Sequence, residues 1–276
     1  MLRIDAHQHF WKYHPVRDRW IDERMSVLKK DFLPSDLRPL LEENGIDGCV
    51  VVQSDQAKEE NAFQLQNAKE YDFIKGVVGW VDFQADDIED QLTYYKQFDK
   101  MKGFRHILQS EPQRDYMLNP AFCSGIRLLE KHHFTYDLLI LPDQLNAAQK
   151  FVSLFPDQLF VIDHLAKPLI KSKEINPWKK EIRSFSDQEN VYCKLSGMIT
   201  EANWNDWRAA DIIPYIDVVV ESFGTNRILF GSDWPVCLLA GSYQETLSLV
   251  TDYFSSFTRN EQDLFFGGNA IQFYNL

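Results

Sequence analysis

His7 and His9 stand two residues apart in the run Ile4-Asp5-Ala6-His7-Gln8-His9. Side chains of an extended chain alternate, so a His-x-His pair projects to one side, with backbones roughly 6.6 Å apart. Two imidazoles at that spacing converge on one metal ion or one carbonyl oxygen. A third histidine, His164, ends the run Phe160-Val161-Ile162-Asp163-His164. A carboxylate, Asp233, follows the apolar run Ile228-Leu229-Phe230 and Gly231-Ser232. Asp233 is placed to serve as a general base or a metal ligand. Helix capping is the weaker reading of it, because Pro235 follows too soon for a helix to start there in the usual way. Asp163 reads as structural, since alternation sends it away from His164.

Other residues could complete a pocket. Arg105 and His106 are adjacent, so only one can face a common interior. Arg105 is the better substrate contact by donor chemistry, its guanidinium fork suiting a carbonyl, carboxylate or hydroxyl oxygen. His106 then packs outward or caps a loop. Lys194 is out of place among Val191, Tyr192, Cys193 and Leu195, and needs either an ion-pair partner or a substrate. Gln53, Trp80 and Asp82 end apolar runs and read as pocket-lining. Trp11 and Trp234 flank the catalytic candidates, where an aromatic face stacks on a ring or fills core.

The elements that must position these side chains alternate along the whole chain. Eight strands are expected: Leu2–Phe10, Asp47–Ser54, Ile74–Phe83, Lys102–Gln109, Phe134–Leu141, Leu159–His164, Asn190–Gly197 and Arg227–Asp233. Runs such as Cys49-Val50-Val51-Val52 suit strands buried on both faces, as in a parallel sheet. Between them lie helical stripes: Phe122, Ile126, Leu129; then Ile212, Ile216, Val219, Val220, Phe223 with Gly224 as a stop; then Tyr243, Leu247, Val250, Phe254. A helix near Ser35–Asn44 is expected to hold Pro39 in its first turn and to end at Gly45. Eight strand–helix units close a sheet on itself, which predicts an α/β fold, a (β/α)8 TIM barrel. An open doubly wound sheet would carry a glycine-rich turn after its first strand. Here that position reads Phe10-Trp11-Lys12-Tyr13-His14. In a barrel the strand-end residues share the carboxyl rim, where barrel enzymes do their chemistry.

The 276 residues show no linker or repeat, so a single domain over residues 1–276 is expected. Its longest non-helical connection, residues 11–33, carries Trp, Tyr, Arg and His and reads as a wall or lid of the site. The formal net charge of −12 disfavours a nucleic-acid partner. No run approaches the ~20 apolar residues of a membrane span, and Asp5, His7 and His9 interrupt any leader-like start. Four cysteines without a Cys-x-x-Cys pair fit a reducing, cytoplasmic setting. The oligomeric state stays open.

With these motifs in place, the chain resembles the amidohydrolase superfamily: Asp-x-His-x-His on the first strand, a strand-terminal histidine and a late strand-terminal aspartate. The segments Ile4–Trp11, Lys102–His106, Val161–Pro168, Asn190–Met198, Gly231–Cys237 and Gly268–Tyr274 are similar to the sugar lactonase branch, which includes L-fuconolactonases and L-rhamnonolactonases. The resemblance implies hydrolysis of a sugar lactone to the free aldonic acid. It assigns water activation to Asp233, ion binding or carbonyl polarisation to His7, His9 and His164, and substrate contact to Arg105. Binuclear relatives carry a bridging lysine or glutamate on the fourth strand; none matches here, and the fifth strand ends without a histidine. At most one ion, such as Zn²⁺, is then expected on His7, His9, His164 and Asp233, and metal-free catalysis stays open.

Lactone opening needs a positioned water, a base, and positive charge or donors where the oxyanion grows. Asp233 fills the second role. The imidazoles fill the third, by holding an ion or by donating protons. Proton donation requires a charged imidazole and predicts activity falling as pH rises through its pKa. The alternatives are a Zn²⁺-dependent decarboxylase of aromatic or unsaturated acids on the same fold, and a non-catalytic sugar-acid binding protein.

Overall fold

The structure is a computed structural model describing all residues Met1–Leu276. Eight parallel strands follow one another around a single sheet in the order β1 to β8. They are β1 (Ile4–Gln8), β2 (Gly48–Val52), β3 (Ile74–Gly79), β4 (Met101–His106), β5 (Thr135–Leu138), β6 (Phe160–Ile162), β7 (Val191–Leu195) and β8 (Ile228–Phe230). Helices connect them: α1 (Pro34–Glu43), α2 (Lys58–Glu70), α3 (Ile88–Tyr95), α4 (Pro120–His132), α5 (Leu145–Ser153), α6 (Asn176–Arg183), α7 (Ala209–Phe223) and α8 (Tyr243–Phe254). Two short helices, α9 (Arg259–Asp263) and α10 (Asn269–Tyr274), finish the chain. The (β/α)8 barrel expected from the strand count is the fold observed.

The sheet closes just beyond β8. Asp233 N–H donates to the His7 carbonyl and His9 N–H to the Trp234 carbonyl, each at 2.8 Å. Closure thus puts Asp233 beside the first-strand histidines.

The expected strands are each longer than those observed, because ladder pairing stops where the chain turns to serve the rim. Pro39 lies inside α1, not in its first turn. Gly45 and Gly224 do end their helices, with φ of +63° and +65°.

The barrel interior is layered. At the amino end Ile4, Val50, Val78, Val161 and Leu229 meet Phe273 and Tyr274 of α10 in a small apolar cluster. The larger core lies between sheet and helices and takes the other strand faces, such as Cys49, Val51, Phe104, Tyr136 and Ile162. Between the apolar floor and the carboxyl rim lies a charged layer.

Candidate active site

That layer holds two cations and two anions, all buried. Lys194 Nζ bonds Asp137 Oδ2 at 2.5 Å and lies 3.0 Å from Asp163 Oδ1, while Arg105 Nη1 donates to Asp163 Oδ2 at 2.9 Å. Tyr274 donates its hydroxyl to Asp137 at 2.9 Å. Balanced charge lets the group survive without water. Burial pushes Asp137 up to about 6 against the pull of Lys194. Burial works the same way on Asp163, but Lys194, His7 and Arg105 together outweigh it and hold that carboxyl well below the usual range.

His7 sits directly above this layer. Its Nδ1 lies 3.1 Å from Lys194 Nζ and 3.2 Å from Asp163 Oδ1. The other candidates gather over it. Asp233 Oδ1 is 3.3 Å from His9 Nε2, 3.9 Å from His7 Nε2 and 3.9 Å from His164 Nε2. Burial depresses His7 strongly, against the charge of Asp163, and depresses His164 to about 4, against Asp233 and Asp163. Burial would raise Asp233, but His164, the His9 hydrogen bond and His7 outweigh it and keep the carboxylate ionised.

The ring nitrogens away from Asp233 are anchored. His9 Nδ1 meets the Val52 carbonyl at 2.7 Å and His164 Nδ1 meets Ser196 Oγ at 2.8 Å. A carbonyl only accepts, so His9 Nδ1 carries a hydrogen, and without a second proton the ring turns its Nε2 lone pair on Asp233. Two acceptors 3.3 Å apart call for a cation or a proton between them. Ligand atoms of His7, His164 and Asp233 also lie within 4.8 Å of one another. The donor set of neutral imidazoles and one carboxylate therefore fits a single divalent ion.

Local backbone geometry delivers two of these side chains. Val161 and Asp163 both face the barrel interior, so alternation points Asp163 inward, and it is His164 that departs from the strand pattern. His164, Leu165, Ala166 and Lys167 all have positive φ, between 49° and 57°. This left-handed turn costs roughly 1–2 kcal/mol per residue and swings His164 back over the rim. Asp233 also has positive φ, 57°. Gly197, at φ +63°, leaves room: a Cβ there would stand 2.7 Å from His164 Nδ1.

A cavity of about 190 Å³ opens over the quartet, lined by His9, His164, Asp233 and Arg105. Trp11 and Trp20 of the 11–33 connection form one wall, as expected of that segment, and Ile107, Leu139 and Val236 give apolar surface. Ser54, Gln109, Ser110 and Lys167 add polar groups. Arg105 enters the cavity as expected, held by Asp163 and by the Gln53 carbonyl at 2.5 Å. Its buried Nε has no partner within the protein.

Six candidate lining residues lie elsewhere, among them Asp82, which stands outside the cavity wall and accepts the Gln84 N–H at 3.0 Å. His106 turns outward, 2.7 Å from Glu111 and stacked on Tyr116. Lys194 is fully buried in the charged layer beneath His7, where its ammonium is engaged by Asp137, Asp163 and the His7 ring and does not reach the cavity. Gln53 is also fully buried and donates to the Arg105 carbonyl at 3.1 Å. Trp234 packs between Phe10 and Phe32, at ring separations of 6.2 and 5.3 Å. Trp80 is engaged through its backbone by Asn61 and lies outside the cavity lining. The reading of Asp163 as facing away from the site is likewise corrected. Trp20, Ser54, Ile107, Gln109, Ser110, Leu139, Lys167 and Val236 were not singled out from the sequence: Ser54, Ile107, Gln109 and Leu139 fall within expected strand spans, but the observed strands stop short of them and the chain turns there. Gly197, straight after an apolar strand, was the visible cue to a close approach.

The amidohydrolase family model matches residues 4–276. The chain is 36% identical to an L-fucono-1,5-lactonase of Burkholderia multivorans, across all of this chain and 96% of the relative. It is 26% identical to an L-rhamnono-gamma-lactonase of Scheffersomyces stipitis, over 65% of this chain and 60% of that one. A crystal structure of a Burkholderia multivorans amidohydrolase with bound zinc superposes with a TM-score of 0.96 at 36% identity, over the whole of both chains. Family model, full-length similarity and barrel geometry agree, and the chain belongs to the amidohydrolase family.

Proposed function

We propose that this protein hydrolyses a sugar lactone of the L-fucono-1,5-lactone type to the free aldonic acid, with Asp233 as the base that activates the attacking water. The observation that carries the reading is an ionised carboxylate, ringed by three imidazoles, on the wall of a small cavity that Arg105 also enters. The cavity is smaller than the ~300–1,000 Å³ typical of drug-sized ligands, which suits a single sugar ring.

Asp233 accepts a proton from water as the water oxygen bonds to the lactone carbonyl carbon. Arg105, in the cavity wall, supplies positive charge near the oxygen on which negative charge develops. The bond from the carbonyl carbon to the ring oxygen then breaks, and the proton on Asp233 passes to that oxygen. Trp11 and Trp20 cover the ring, and Lys167 at the rim faces the new carboxylate. His7, His9, His164 and Asp233 would hold a zinc ion. Bound there, such an ion supplies Lewis-acid polarisation of the carbonyl. The decarboxylase alternative shares the fold alone with this chain.

The test is a proton-release assay of the purified enzyme on a panel of L- and D-sugar lactones. Asp233→Asn is expected to lower kcat by roughly 10²–10⁴-fold while the lactone still binds. Complete loss on chelation with recovery on adding Zn²⁺ supports the ion, and unchanged turnover removes it. Release of CO₂ without ring opening, or binding of lactones that are never opened, overturns the proposal.

A further inference from the structure

Four consecutive residues without a glycine, His164 to Lys167, share the left-handed backbone region. L-residues visit it singly, so a run of four must be held by its surroundings. One bond lies inside the turn, from Lys167 N–H to the His164 carbonyl at 2.7 Å. Ser196 Oγ acts on the His164 ring. A side chain from a different element grips the turn's backbone: Trp178 on α6 donates its indole N–H to the Leu165 carbonyl at 2.7 Å. Trp178 is 2% exposed, packs on Tyr215 at 5.3 Å, and has no place in the cavity wall.

The turn matters because it presents two cavity residues at once. His164 opens it and Lys167 closes it, and both line the cavity. If Leu165 or Ala166 relaxed to a right-handed or extended conformation, the two side chains would leave their places together.

We propose that Trp178 is a positioning residue: its indole N–H, bonded to the Leu165 carbonyl, holds the left-handed turn that sets His164 and Lys167 against the substrate. The proposal rests on the lactonase reading for its kinetic arm only. Its expression is in kcat, since a small displacement of a group acting on the reacting centre costs rate more than ground-state binding.

Trp178→Phe keeps the ring against Tyr215 and deletes the donor. The expected result is a kcat lower by about 10- to 100-fold, with KM within about twofold of wild type. The ring ¹⁵N signals of His164 in histidine-labelled protein should shift. Adding Ala166→Gly to Trp178→Phe should recover much of the lost kcat, because glycine adopts positive φ without steric cost. A structural role alone predicts a lower melting temperature with kcat and the His164 signals unchanged, and that outcome overturns the proposal. Should Trp178→Phe not fold, Ala166→Val penalises the same backbone without touching Trp178 and is expected to lower kcat likewise; unchanged kcat there also overturns it. If the wild-type enzyme opens no lactone, the proposed function fails, while the His164 signals of Trp178→Phe still decide the positioning role.

Discussion

Lys194 shows how one residue beneath a site governs it without touching a ligand. Its ammonium balances Asp137 and Asp163 and lies 3.1 Å from His7 Nδ1. Removing one member of such a group leaves uncompensated buried charge. Lys194→Met is therefore expected to cost about 3–5 kcal/mol in urea denaturation, and to lower activity through His7. Adding Asp137→Leu removes the stranded anion and should restore part of that stability. If the double variant is less stable than Lys194→Met, the charge-balance account is wrong. Gly197 works at the same scale by what it lacks: any side chain there meets the His164 ring.

Among elements, α2 is the one whose pattern misleads. An outer barrel helix should bury an apolar stripe. This one buries Glu60, Asn61, Gln64 and Asn67. Those side chains hold strand ends in place. Glu60 accepts from Ser54 N–H at 3.0 Å, Gln64 donates to the Phe10 carbonyl at 2.7 Å, and Asn61 brackets the Trp80 backbone. The ends of β1 and β2, which carry His9 and Ser54 into the cavity, are thus set by a helix through polar bonds. Burial raises the Glu60 pKa above its ordinary 4.5, against the bonds from Gln64 and Ser54. The sign follows: below 4.5 both folded and unfolded chains hold the proton and no penalty exists. As pH climbs above that value the unfolded chain ionises first, so stability falls until the folded carboxyl ionises too, and the deficit then persists. Glu60→Gln keeps an acceptor and removes the titration. Its urea midpoint relative to wild type should rise between acidic and neutral pH; a constant offset across that range would contradict the assignment.

For the molecule as a whole, the decisive event is closure of β8 on β1, because the quartet straddles that seam. Asp5 staples it from the helix side. It accepts Ser232 N–H at 2.9 Å, His7 N–H at 3.2 Å and the Tyr243 hydroxyl at 3.1 Å. Asp5→Ala strands buried donors, each worth about 1–3 kcal/mol, and is expected to destabilise the barrel and loosen Asp233 from the histidines. Tyr243→Phe deletes one bond and should cost about 1 kcal/mol. Thermal and urea unfolding will rank the two, and a larger loss for Tyr243→Phe would count against Asp5 as the staple.

Much of this was legible in the amino-acid order alone. Eight apolar runs of strand length, separated by helical stripes, called for a parallel sheet buried on both faces, and the strand count with no glycine-rich turn after the first run favoured the closed barrel over an open sheet. Strand-end position then singled out His7, His9, His164 and Asp233. What the order could not determine was which neighbour turns inward once a strand stops. Asp163 and His164, or Arg105 and His106, differ by one residue, and a one-residue change exchanges inside for outside. Only the tertiary structure, with a left-handed turn at His164 and buried counter-charges under His7, decided those cases. Arg105 turns inward to Asp163, 58 residues further on, and His164 is held by Ser196, 32 residues further on, and local periodicity holds no record of either partner.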